Sequence, residues 1–153
     1  MNWLIDLVTN PFLITGVCAW LIAQVAKGII NWIVDGKFDG SRFFGDGGMP
    51  SGHSATVVSV AVYAALARGT NSFEFAIAAI LAIIVTHDAV GVRLETGKQA
   101  VIIKELMEGL DIAFSHKAAN IKLKEMVGHT TNQVIVGGLL GAVVAAFMYF
   151  VIF

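Results

Sequence analysis

Long uncharged apolar runs alternate with short charged intervals along this chain. No Asp, Glu, Lys or Arg occurs from Leu7 to Ala26, and after Lys27 the apolar run resumes from Gly28 to Val34. With Pro11 near its start, this stretch is long enough to cross a bilayer core of about 30 Å as a helix. Ser54 to Ala67 is also uncharged but short, and it spans only if His53 and its neighbours lie at the interface. Phe75 to Val92 carries only His87 and Asp88, and Gln133 to Phe153 has no charge in 21 residues. In that last run Gly137 and Gly141 have the small-xxx-small spacing that lets helices approach closely. The pattern predicts an all-α integral membrane bundle of about four transmembrane helices, occupying residues 1–153 as a single domain.

The interval Arg93 to Glu125 is different, holding 11 of the 21 Asp, Glu, Lys and Arg residues. Within it Ile103, Leu106, Met107, Leu110, Ala113 and Phe114 recur at helical spacing. That spacing predicts an amphipathic helix at the membrane surface or covering the bundle, with a swapped or dimer-forming arm as the alternative.

Composition supports the membrane reading. The chain is 57% hydrophobic and 14% charged, with a mean hydropathy of +0.79. Soluble domains carry about 25% charged residues. The net charge of −1 leaves no basic field for a nucleic-acid partner. The single cysteine, Cys18, excludes an internal disulfide framework and a Cys-rich metal site. The first Lys is at position 27, so the N-terminal run lacks the basic start of a cleaved signal peptide. With four spans, the loops 35–49 and 93–132 share one side and hold most of the basic residues, against Arg68 alone opposite. The positive-inside rule puts those loops in the cytoplasm. The expected location is a bacterial cytoplasmic membrane, with the chemistry facing the cytoplasm.

Three polar constellations interrupt the apolar pattern on that predicted side. The first is Gly47-Gly48-Met49-Pro50-Ser51-Gly52-His53-Ser54, directly before an apolar helical run. Pro50 at a helix start and Ser51 as its cap place free backbone N–H groups at a helix N-terminus, which attracts anions. His53 then falls in the first turn, beside any bound anion, where it can give a proton to a leaving group. The second is His87-Asp88-Ala89-Val90-Gly91-Val92-Arg93, in which Gly91 can break the helix and turn Arg93 inward or leave it snorkelling. The third is Gly128-His129-Thr130-Thr131-Asn132-Gln133. If a helix begins near His129, Gln133 shares its face, accepts the Nδ1–H and leaves Nε2 free as a nucleophile. Lys27, late in the first run, and Arg42, in the following loop, can join the group. No second carboxylate stands near Asp88, so no carboxylate metal site is expected, and no P-loop ending follows Gly48.

At these residues the sequence resembles the divergent branch of the type 2 phosphatidic acid phosphatases, grouped with the vanadium-dependent haloperoxidases. The likeness lies in 47–55, in Asp88 to Arg93 with Gly97-Lys98-Gln99-Ala100, and in Lys124-Glu125 with Gly128-His129-Thr130 and Val134. It covers the chain from about Lys27 to Gly141. The resemblance implies a haloperoxidase-like helical core. It makes His129 the nucleophile, His53 the general acid, and Ser51 and Gly52 backbone donors. It makes Arg93 a phosphate clamp, with Lys27 and Arg42 matching a leading Lys…Arg-Pro motif loosely, because Phe43 stands in place of the proline. Gln133 occupies the position of the orienting acid, and Asp88 is a supporting residue.

The expected activity is therefore hydrolysis of a lipid phosphate or pyrophosphate through a phosphohistidine, with no metal or other cofactor. The alternative is an anion-binding membrane protein that holds a phospholipid headgroup without turnover, since Gln133 cannot stabilise an imidazolium by charge. Membrane lipids are the expected surroundings, and a bundle this small can pair with a second copy.

Overall fold

The computed structural model describes residues 2–36, 48–91, 95–96, 99, 101–103, 105–106 and 129–153. Among these every regular element is helical: α1 (Trp3–Val8), α2 (Pro11–Asp35), α3 (Gly52–Arg68), α4 (Phe73–Val90) and α5 (Thr131–Phe147), which ends in a π-helical turn, Met148–Ile152. The ends follow local chemistry. Asn10 caps α2 by accepting the N–H groups of Phe12 and Leu13, Pro11 supplies a first position that needs no donor, and Gly36 closes the helix in the left-handed region. Ser51 and Ser72 cap α3 and α4 by accepting from Ser54 and Phe75.

Among the described residues three helices are long and apolar enough to cross a membrane: Pro11–Val34, Phe73–Val90 and Thr131–Ile152. The chain is an all-α integral membrane bundle. The short fourth run becomes α3, which at 17 residues is about 25 Å long. It is the central helix, packed on α2, α4 and α5. Apart from Tyr63, its buried positions are small: Gly52, Ser54, Ala55, Ser59, Ala61 and Ala64. Small side chains let three neighbours approach one axis, so the shortest run is enclosed by the longer ones.

The order alternates. α2 ends, α3 begins, α4 ends and α5 begins at one end of the bundle, so the segments after α2 and after α4 leave from the same end, as the charge pattern required. α3 and α5 run parallel, Gly137 lying on the backbone of Ser51 and Gly141 on that of Ala55. At the opposite end Tyr63 anchors an aromatic cluster, its ring 5.2 Å from Phe12 and 6.1 Å from Tyr149.

Of the expected amphipathic helix, residues 95–96, 99, 101–103 and 105–106 are helical, with Ile103 and Leu106 exposed. Met107, Leu110, Ala113 and Phe114 lie outside the described residues.

Candidate active site at the shared helix ends

The end of the bundle where α3 and α5 begin brings two of the sequence motifs together. The rings of His53 and His129 face one another with centroids 6.1 Å apart. His53 is the second residue of α3 and is exposed, whereas His129 is buried.

His129 is held through its backbone and through its ring. Its backbone N–H donates to the carbonyl of Ala89 at 3.0 Å, which ties it to the last turn of α4. Its Nδ1 lies 3.3 Å from Gln133 Oε1. The same oxygen accepts the Thr130 N–H at 3.1 Å, completing a capping arrangement at the start of α5. A backbone N–H can only donate, so the amide atom facing it is the oxygen. The Nδ1 facing that oxygen is then the protonated nitrogen, and in the neutral ring Nε2 carries the lone pair. The expected His129–Gln133 pairing is present, but its origin differs. The helix begins at Thr131, so His129 stands before the cap rather than on a helix face, and the cap holds the glutamine that holds the histidine.

Ser51 requires a correction. Its backbone N–H donates to the Gln133 carbonyl at 3.1 Å, and its Oγ accepts from the N–H and the hydroxyl of Ser54 at 3.3 and 3.0 Å. Ser51 is fully buried. It therefore caps α3 and fastens it to α5, and its amide is not free for an anion. Pro50 correspondingly lies before the cap, not at the first helical position. The donors at this helix end are the N–H groups of Gly52 and His53, which make no hydrogen bond among the described residues.

Lys27 reaches this end of the bundle. It is 3% exposed, and its stem packs on Gly48, which has a φ of +82°. A cation so deeply placed among apolar helices is costly unless polar groups or charges meet it. Asp88 is half-buried in the last turn of α4, next to the Ala89 that receives His129. Arg93 and Arg42 lie outside the described residues, as do Lys124, Glu125 and Gly128.

Gln24 went unnoticed in the sequence. It lies one turn before Lys27, and its Oε1 is buried with no hydrogen-bond partner among the described residues. Its amide lies beside Gly52, and Trp20 sits one turn further down. A glutamine within an otherwise uncharged span was the available signal.

The profile of the divergent PAP2 family matches residues 8–144, which takes in every motif above. The chain belongs to that family. It is 40% identical over 145 residues to the uncharacterized membrane protein YuiD of Bacillus subtilis strain 168, an alignment covering 89% of this chain and 92% of that protein. No solved structure matches the chain. As a divergent PAP2 protein it sets two of its four histidines, His53 and His129, at the ends of parallel helices, with Gln133 serving both as helix cap and as imidazole partner.

Proposed function

We propose that the chain is a membrane phosphatase that hydrolyses a lipid phosphate or pyrophosphate through a phosphohistidine. The observation that carries the proposal is the pair of imidazoles 6.1 Å apart at the open N-terminus of α3. Rings with centroids this close can both border one phosphoryl group, His129 on the side of phosphorus and His53 on the side of the leaving oxygen.

Nε2 of His129 attacks phosphorus, and the bond from phosphorus to the leaving oxygen breaks. Protonated His53 gives its proton to that oxygen. Water then attacks the phosphohistidine, neutral His53 takes the water's proton, and the P–N bond breaks to release inorganic phosphate. The Gly52 and His53 amides, with Lys27, Arg93 and Arg42 as cationic clamps, offset the charge spread over the equatorial oxygens. No metal enters these steps. The basic residues of the intervals 35–49 and 93–132 favour a cytoplasmic orientation for this chemistry in a bacterial cytoplasmic membrane.

The test is phosphate release from a panel of lipid phosphates and pyrophosphates by detergent-purified protein, with His129→Ala and His53→Ala alongside, each with and without vanadate. Release that vanadate and both substitutions abolish supports the proposal. No release above the two variants, from folded wild-type protein, overturns it.

Gln133 favours one second reading, headgroup binding without turnover. An amide orients His129 but adds no negative charge, and loss of the orienting carboxylate from a comparable relay costs about 10⁴ in kcat. Gln133→Glu keeps the length of the side chain, can still accept the Thr130 N–H, and puts a carboxylate where the dipole of α5 favours it. On the phosphatase reading this variant should raise kcat by at least about tenfold, a change of 1.4 kcal/mol. An unchanged or lower rate would show that the amide suits the wild-type site better than an acid.

Lys27→Met tests the clamp. Loss of one charge-assisted contact costs about 1.5–3 kcal/mol, so kcat/KM should fall on the order of 100-fold. Unaltered kcat/KM in a folded variant removes Lys27 from the site.

A further inference from the structure

Beside His53 the bundle surface opens into a groove of about 350 Å³ between α2, α3 and α4. Val17 and Trp20 form one wall, His53, Thr56 and Val57 another, and Val85 closes it. The Thr56 hydroxyl donates to the Gly52 carbonyl at 2.8 Å, so its polar group is satisfied within α3. Among the described residues His53 is then the one ionisable group on the groove, and it stands where the groove meets the proposed phosphate site.

The face of α2 that borders this groove is graded in polarity. Val17, Trp20, Gln24 and Lys27 follow one another at spacings of three and four, which keeps them on one side of the helix. Val17 lies on the groove, Trp20 and Gln24 lie beside Gly52, and Lys27 packs on Gly48. Over about 15 Å of helix rise, the face passes from aliphatic to aromatic to amide to ammonium. A phosphorylated lipid lying along it meets the same order from chain to headgroup.

A larger groove of about 670 Å³ lies between α2 and α5, bounded by Cys18, Ile22, Leu140 and Phe147. No residue of the two-histidine site borders it, so nothing links it to the headgroup.

We infer that the smaller groove seats one hydrocarbon chain of the lipid whose phosphate enters between His53 and His129. This rests on the reading of that site as one for a lipid phosphate. At about 30 Å³ per water-sized group, the space suits roughly a dozen such groups, which is one chain and not two. A second chain, where the lipid has one, stays in the bilayer.

The experiment uses full-length protein in phosphatidylcholine vesicles and two photoreactive probes. One is a single-chain alkyl phosphate with a diazirine in mid-chain, and the other is the same chain ending in an alcohol. The sites of labelling are mapped by peptide mass spectrometry. The phosphate probe should label Val17, Val57 and Val85 in preference to Cys18, Ile22 and Leu140, by a ratio roughly tenfold above that of the alcohol. Excess unreactive alkyl phosphate should suppress the preference. Val57→Trp and, on a different helix, Val85→Trp should each abolish it in protein whose thermal unfolding is unchanged. If one variant fails to fold, the other carries the test.

Equal ratios for the two probes, or a preference for the α2–α5 groove, would overturn the inference. So would groove labelling that survives a tryptophan in a folded variant. Selective labelling without any phosphate release would strike the hydrolysis reading alone and leave the chain groove in place.

Discussion

Replacing His129 with alanine should lower phosphate release by on the order of 10³-fold or more, about 4 kcal/mol in transition-state stabilisation. The reason is chemical: no other described side chain presents an imidazole nitrogen across from His53. The fold should tolerate the change. Gln133 keeps its bond to the Thr130 N–H and the Ser51 N–H keeps the Gln133 carbonyl, so the junction of α3 with α5 survives. The lost Nδ1 contact costs about 0.5–1.5 kcal/mol. Two measurements check this: rate, and thermal unfolding in detergent. Trapping adds a third, since wild type quenched during turnover of a ³²P-labelled substrate should hold an acid-labile, alkali-stable label that the variant lacks. A folded variant that still releases phosphate at the wild-type rate would remove His129 as nucleophile, whatever the role of His53.

The second large effect concerns residues that do no chemistry. Gly137→Leu should destabilise the bundle and abolish activity together. A Cβ at Gly137 would overlap the Ser51 carbonyl oxygen and come within 3.0 Å of the Ser51 nitrogen. These are backbone atoms, which cannot swing aside as a side chain does, so α3 and α5 must part. Parting them breaks the bond from Ser51 N–H to the Gln133 carbonyl and moves His53 away from His129. Overpacking a tight core costs about 1–3 kcal/mol, and a displacement of about 1 Å at a reacting centre costs on the order of 100-fold in rate. Gly141→Leu should behave alike, because its Cβ would overlap the Ala55 carbonyl. Gly138 is the control on the same helix. Its Cβ would meet only the Val58 methyl at 3.6 Å, so Gly138→Ala should leave unfolding within about 0.5 kcal/mol of wild type. Equal tolerance at all three glycines would remove the close α3–α5 approach as the device that sets the histidine spacing.

Much of the architecture was legible in the chain because a bilayer constrains it so strongly. Runs such as Gln133 to Phe153 have no alternative to a buried or lipid-facing helix, since backbone groups find no water there. Basic residues gathered in two intervals said which helix ends share a side, and Ser51 marked where one helix begins, although the caps at Asn10 and Ser72 were not read from the chain. His53, His129, Gln133 and Lys27 stood out for the opposite reason, as polar groups where apolar ones are cheaper.

Tertiary contacts decided the rest. Residue spacing could not say that the shortest run is the central helix, because enclosure depends on how three neighbours approach Ser54, Ala55 and Ser59. Nor could it say that the Ser51 amide is spent on the Gln133 carbonyl, since that bond joins positions 82 residues apart. Gln133 shows the division. Its distance from His129 along the chain suggested a partnership, but the partnership works through a helix cap, with one oxygen accepting a backbone N–H and so setting which imidazole nitrogen holds the proton. Sequence determined the elements, their alternation and the chemistry available, because propensity, capping and bilayer solvation act within a few residues. Which donors remain open, how far apart the imidazoles stand and which groove meets them were decided only when distant backbones came into contact.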